Sequence, residues 1–195
     1  MTTLFKTLLA TTLIVFSFTV AGCGGDGDGA ADETAATSAV PFDRAFIDAM
    51  VPHHRSAIEM AEAAKEAGLT EPELIEIADD IVASQQSEID RMLEWREQWF
   101  GSSEIDPEGA SALGLPESEM GMAEHGADEI KEADDVDTAF AEAMIPHHEG
   151  AIRMAELAQE KADHDEVMEL ADDIVAAQQR EIEMMEKHAG EGHMG

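Results

Sequence analysis

Two stretches of this chain are near-copies of each other, and their spacing bounds the fold. Ala49-Met50-Val51-Pro52-His53-His54 returns as Ala143-Met144-Ile145-Pro146-His147-His148. Each copy runs on into Ala-Ile-x-Met-Ala-Glu, from Ala57 to Glu62 and from Ala151 to Glu156. Upstream, Asp43-x-x-Phe46 matches Asp137-x-x-Phe140. Downstream, the segment from Ala78 to Ala83 matches that from Ala171 to Ala176, and Gln85-Gln86-x-Glu88-Ile89 matches Gln178-Gln179-x-Glu181-Ile182. The offset is 94 residues in the first block (Asp43 to Asp137) and 93 in the second (Ala78 to Ala171), so one residue is missing from the connection inside the second unit. Each unit reads as a helical hairpin. One hairpin cannot bury its apolar face alone, whereas two packed together can. The expected fold is all-α, a ferritin-like four-helix bundle made of two repeated hairpins.

The helix signals agree. The first helix is expected from Asp43 to Ala67, stopping at Gly68. The second starts near Thr70, with Pro72 at its beginning and Glu73 at the capping-box position, and runs to Trp99 before Gly101. The third spans Asp137 to Lys161, and the fourth Asp165 to His188, ended by Gly190. On the second helix Leu74, Ile77, Ala78, Ile81, Val82, Gln85, Ile89 and Met92 recur at steps of three and four, the mark of one buried face. No stretch alternates as a strand. The hairpins occupy 42–100 and 137–188 of a bundle spanning 42–190, and a tail follows at 191–195. Between the hairpins lies a linker, 101–136, rich in Gly, Ser, Glu and Pro, which is expected to be functional or mobile and to cross the bundle end. Trp95 and Trp99 are expected to cover that end, and His164 to lie at the surface of a turn.

The first 22 residues read as a sorting signal and not as part of the fold. A short basic start at Lys6 precedes the mostly apolar segment from Leu8 to Val20, and Val20-Ala21-Gly22-Cys23 reads as a lipobox. Cys23 would be lipidated and become the mature N-terminus. An ordinary secretory signal or an uncleaved anchor is the alternative. No later apolar run approaches the roughly 20 residues of a spanning helix. Residues 23–41 form an acidic, Gly-rich tether that cannot bury a core. The expected location is the cell membrane, lipid-anchored, facing the periplasm or the exterior.

Cys23 is the only cysteine. Once it is acylated no thiol remains for a disulfide or for metal, so a soft-metal site must use Met and His. The formal net charge of −33 repels nucleic acid phosphates and excludes that class of partner. No Gly-rich phosphate loop and no nucleophile constellation is present, and the chain is not expected to be an enzyme.

A repeated apolar pattern explains a structural repeat, but a repeated His-His does not follow from packing. Ferritin-type di-iron sites need Glu-x-x-His on helices, and none of the eight His residues has Glu three positions before it. Met stands there instead at Met50/His53, Met122/His125, Met144/His147 and Met185/His188. Residues three and four apart share a helix face, so Met50 can stand beside both His53 and His54, and Met144 beside His147 and His148. Thioether with imidazole favours copper, above all Cu(I), with zinc and nickel open through the imidazoles. The principal candidates for metal are Met50, His53, His54, Met60, Met144, His147, His148 and Met154. Met120, Met122, His125, Met184, Met185 and His188 are auxiliary candidates, with His193 and Met194 beside them in the tail. The competing reading makes the methionines core filler. Pro52 and Pro146 fall just before each His pair and free the carbonyls of Asp48 and Glu142. Gln85, Gln86, Glu88, Gln178, Gln179 and Glu181 are read first as interhelical polar contacts, and alternatively as groups that orient the histidine rings.

The Phe46-x-x-Ala-Met-Val-Pro-His-His-x-x-Ala-Ile-x-Met-Ala segment, the Ala-x-x-Ile-x-x-x-Gln-x-x-Glu-Ile segment, the Met-Gly-Met linker and the second copy together resemble the DUF305 family. The resemblance covers about Phe42 to His188. It implies a ferritin-like four-helix bundle, export from the cytoplasm and, as in some members, copper binding and copper resistance. Carried over by position, it implicates Met50, His53, His54, Met60, Met144, His147, His148 and Met154. The linker departs from the family pattern in its acidity and in the extra His125. The expected function is copper sequestration, or relay to a copper-handling partner protein. A ferritin-like metal-dependent oxidase and a metal-free helical interaction module are the alternatives. Whether the two His pairs meet in one site or form two stays open.

Overall fold

The computed structural model describes residues 40–122 and 126–190. Cys23, the signal, all but the last two residues of the tether, His125, and the tail with His193 and Met194 lie outside the described residues. Within them the chain is helical: α1 (Phe42–Ala67), α2 (Pro72–Phe100), α3 (Ala127–Glu132), α4 (Val136–Lys161) and α5 (Asp165–Met185). Two short 3-10 turns, Gly109–Leu113 and Glu117–Glu119, interrupt the linker, and no strand occurs among the described residues. α1 with α2 and α4 with α5 form the two hairpins, which pack through α1 against α4. The turn between α1 and α2 is one residue longer than that between α4 and α5, which accounts for the offset change in the repeat.

Local chemistry sets most boundaries. Gly68 and Gly101 end α1 and α2 in the left-handed region, at φ 106° and 78°, where a Cβ would be strained. Pro72 opens α2 at a position where a missing N–H costs nothing. Thr70 and Glu73 form no capping box. The cap comes from the other hairpin: Asp137 accepts the backbone N–H of Thr70 and of Glu71, at 2.9 and 3.0 Å, and the Thr70 hydroxyl. Its repeat partner Asp43 does the same for the α5 start, accepting the N–H groups of Asp163 and His164 at 3.0 and 3.1 Å together with His164 Nδ1. Each hairpin therefore caps the second helix of its partner. His164 also stacks on Trp99, with ring centroids 3.8 Å apart, and Trp99 on Trp95.

These crossed caps require α1 and α4 to run antiparallel, and the core confirms it. One apolar cluster joins Phe46 and Met50 of α1 to Met154 and Ala158 of α4. The other joins Met60 and Ala64 of α1 to Phe140 and Met144 of α4. Alanines line both sides of the seam (Ala57, Ala61, Ala64; Ala151, Ala155, Ala158), which lets the helices approach closely. The linker does not cross the bundle end. It runs along α1, from the Gly109 turn beside Asp48 to Lys131 of α3, which pairs with Glu66 at 3.1 Å. Asp48 anchors its start. That buried carboxylate takes Arg96 Nε at 2.6 Å, Arg44 Nε at 3.4 Å and the Asp106 N–H at 3.1 Å.

The two caps give a paired prediction. Asp43→Ala is expected to cost about 2 kcal/mol in urea denaturation, and Asp137→Ala, in a more exposed setting, about 1 kcal/mol. Equal stability of both variants and the parent would refute the crossed caps.

Candidate metal centre

α1 and α4 carry their His pairs through unbroken helix. Pro52 and Pro146 lie inside the helices and leave the carbonyls of Asp48 and Glu142 without an i+4 amide. At the midpoint of the seam the repeats meet. The rings of His53 and His147 lie 3.8 Å apart, centroid to centroid, at 36°. His54 and His148 flank them, with centroids 6.3 and 6.4 Å from His53 and His147 respectively. All four are buried, between the two apolar clusters. The pairs thus form one polar layer.

Glutamates from the outer helices hold two of the rings. His54 Nε2 lies 2.8 Å from Glu88 Oε2 of α2, and His148 Nε2 lies 2.6 Å from Glu181 Oε2 of α5. Glu88 and Glu181 therefore orient the rings, the alternative reading of these residues, and they are not merely contacts between helices. Carboxylate oxygens accept, so Nε2–H donates and Nδ1 is left facing the interior. His53 Nε2 donates to the Met120 carbonyl at 2.9 Å, which likewise leaves Nδ1 as its lone-pair nitrogen.

The polar atoms without partners concentrate here. Among the described residues, buried side-chain nitrogens or oxygens with no hydrogen bond are Nδ1 of His53, His54 and His148, both ring nitrogens of His147, and Oε1 of Gln85 and Gln178. Each such group costs about 1–3 kcal/mol when left unpaired. Gln85 and Gln178 sit one turn before Glu88 and Glu181. Burial, with the neighbouring His54 and His148 adding to it, pushes His53 from the usual 6.5 down to about 3. Burial, then the charge of His53, holds His147 well below 6.5. Both are neutral near pH 7, the form that ligates metal.

Methionines adjoin this layer on either side. Met50 and Met154 belong to one apolar cluster, Met60 and Met144 to the other, so each cluster holds one thioether from each repeat. Among the described residues no three His, Cys, Asp or Glu side chains are already grouped to hold an ion. A centre that combined these imidazoles with Met sulfur would offer a soft donor set, which suits Cu(I) or Ag(I) better than a hard divalent cation.

The family profile described as "Domain of unknown function (DUF305)" matches residues 28–96 and 43–189. The chain belongs to the DUF305 family. The structure of CopM in its Cu(I)-bound form is similar, at 33% identity and a TM-score of 0.62 over 74% of this chain and 93% of that one. CopM has also been solved in Cu(II)-bound, Ag-bound and apo forms. A putative secreted DUF305 protein from Streptomyces coelicolor superposes with a TM-score of 0.67 at 26% identity, over 78% and 98% of the two chains. A DUF305 fragment from Deinococcus radiodurans gives 0.60 at 30%, over 76% and 95%. No curated protein matches the chain.

Of the auxiliary candidates among the described residues, Met120 and Met122 of the linker lie beside His53. Met120 is buried and its carbonyl meets His53, and Met122 is exposed nearby. His188 instead pairs with Glu73 at 3.0 Å, and Lys187 and His188 hold that carboxyl below the usual carboxylate range. Glu73 precedes Glu88 by about 22 Å of helix rise, so His188 belongs to the bundle end and not to the polar layer. Met185 is core there and Met184 packs beside it.

The linker crosses the seam at Met120-Gly121, a contact the repeat hides. Gly121 takes φ 67°, and a Cβ on it would strike the Pro146 carbonyl; a Cβ on Gly150 of α4 would strike that of Met120. Arg153 Nε, one turn on, donates to Glu119 O at 2.7 Å. The repeat partner of Gly150 is Ser56, one of several differences between the copies, and this one falls where the linker passes.

Two outcomes follow. Gly→Ala normally stabilises a helix by about 1 kcal/mol. Gly150→Ala is expected to destabilise by about 1–3 kcal/mol in chemical denaturation, because the linker must move. For metal-free protein, the depressed His53 and His147 leave the folded state taking up fewer protons than the unfolded one. Stability is then full above about pH 6.5 and falls with acidification, approaching on the order of 2–3 kcal/mol per pH unit by pH 5. Denaturation midpoints that stay flat from pH 7 to 5 would contradict the buried neutral pair.

Proposed function

We propose that this protein is a lipid-anchored, extracytoplasmic copper-binding protein that sequesters or relays the ion and performs no turnover of its own. The observation that carries the reading is the concentration of unpartnered buried imidazole nitrogens at one point of the seam. His53 and His147 would hold the ion, with His54 and His148 set by their glutamates beside them. Thioethers of Met50, Met60, Met144 and Met154 would supply soft sulfur, which makes Cu(I) the favoured state. The similarity to CopM, solved with Cu(I), Cu(II) and Ag, supports the choice of metal. The Val20-Ala21-Gly22-Cys23 sequence supports the anchor and the location, with lipid on Cys23 as the membrane contact. Relay would need a copper-handling partner protein. An oxidase is less well supported, since Met-x-x-His-His stands where a di-iron site has Glu-x-x-His. A metal-free interaction module leaves the unpartnered nitrogens without a purpose.

The test is Cu(I) binding by competition with a chromogenic chelator. Replacing His53, His54, His147 and His148 together by Ala is expected to lower affinity by at least about 100-fold, and Glu88→Gln with Glu181→Gln by about 10-fold. Circular dichroism establishes that the variants remain helical. Binding by the four-His variant equal to the parent's would overturn the assignment.

A further inference from the structure

A cavity of about 330 Å³ opens beside His53, whose ring lies against that of His147. Asp48, Pro52 and His53 of α1, Met154 of α4, and Met120 and Met122 of the linker contribute to its wall. The three methionines grade from solvent to core: Met122 is 47% exposed, Met120 7% and Met154 not at all. Met122 shares that degree of exposure with only Val40 and Ile75 among the large apolar side chains described. One exposed thioether, two buried ones and the His53 imidazole thus line the same cavity as a set of soft donors.

The wall offers little to a hard cation. Its one carboxylate, Asp48, is already taken by Arg96, Arg44 and the Asp106 amide. Apart from the His53 imidazole, the remaining surface named is apolar or sulfur. Desolvation cost rises with the square of ionic charge, so a divalent ion meets about four times the penalty of a monovalent one in such a setting. On the repeat-related side, Ile130 of α3 is buried in the cluster that holds Met60 and Met144.

We propose that this cavity is a docking site for a monovalent soft cation, Cu(I) or Ag(I), held by Met122, Met120 and Met154 on its way to the His53–His147 pair. The proposal rests on the reading of that pair as the metal centre. It adds a docking position formed with Met120 and Met122 that shares Met154 with the metal centre, a direction of access through one face of the bundle, and a selection for charge. No bond to carbon or change of oxidation state is involved. The ion exchanges water for thioether at the mouth and thioether for imidazole at the seam.

Ag(I), which does not change oxidation state under these conditions, is the probe. Purified protein carrying ¹³C-methyl methionine is titrated with Ag(I) and separately with Zn(II), while the histidine ring signals are followed. Loading rates are measured by stopped flow for the parent and for Met120→Leu/Met122→Leu, a nearly volume-conserving change. The Met122 and Met120 methyl signals are expected to move with Ag(I) and not with Zn(II). The double variant is expected to load roughly tenfold more slowly, about 1.4 kcal/mol in the barrier, with unchanged final occupancy of the histidines. Loading at the parent rate, with histidine signals that respond as in the parent, would overturn the docking site and leave the metal centre standing. Histidine signals that ignore Ag(I) in the parent would overturn the metal centre and the docking site together.

Discussion

The structure depends on the burial of four imidazoles at the seam between two hairpins. Such a layer is costly, because ring nitrogens removed from water need partners. Two glutamates and one linker carbonyl supply some of them. The rest remain unmet, and the apolar clusters on either side must offset the cost. Phe46, Met50, Ile89 and Met92 on one side, and Met60, Leu74, Ile77, Phe140 and Met144 on the other, are fully or almost fully buried. The same burial keeps His53 and His147 neutral, the form in which an imidazole can ligate a metal ion.

The internal repeat provides a pseudo-two-fold arrangement in which each hairpin completes the other. Asp43 and Asp137 cap across it, and each apolar cluster takes one methionine from each copy. The linker breaks this symmetry. It anchors on the buried Asp48, crosses at Met120-Gly121, and packs α3 over the far half of α1. The two sides of the layer thereby become different, one with Ile130 buried in its apolar cluster and the other bordered by a cavity and an exposed methionine. Duplication built a symmetric centre, and the connection between the copies made it one-sided.

Much of the fold was legible in the chain. The four long helices, the glycine stops of α1 and α2 and the buried stripe of α2 follow from local periodicity and backbone preference, which need no knowledge of the partner surface; α5 instead ends at Met185, short of His188 and of the expected stop at Gly190. The capping-box expectation at Thr70 and Glu73 failed because a local pattern cannot foresee a carboxylate delivered from residue 137. The turn-surface expectation for His164 missed its stack on Trp99 and its bond to Asp43 for the same reason. At the candidate centre, the eight residues singled out were legible only as types at helical spacing. The ring-orienting role of Glu88 and Glu181 was legible only as the weaker of two readings, since a glutamate on an amphipathic helix looks the same whether it meets solvent or a histidine.

What the sequence determined by itself is the inventory: two helical hairpins, a duplicated Met-x-x-His-His, a single cysteine at Cys23 and no Glu-x-x-His. These are properties of single segments, set by side-chain spacing and chemistry. Only the tertiary structure decided that the two His pairs meet in one layer, that Met50 joins Met154 and Met60 joins Met144, and that the linker lies over the seam instead of the bundle end. Those outcomes depend on the antiparallel register of α1 against α4. That register is fixed by long-range caps and by the burial of both apolar faces at once, and periodicity within one helix carries no information about it.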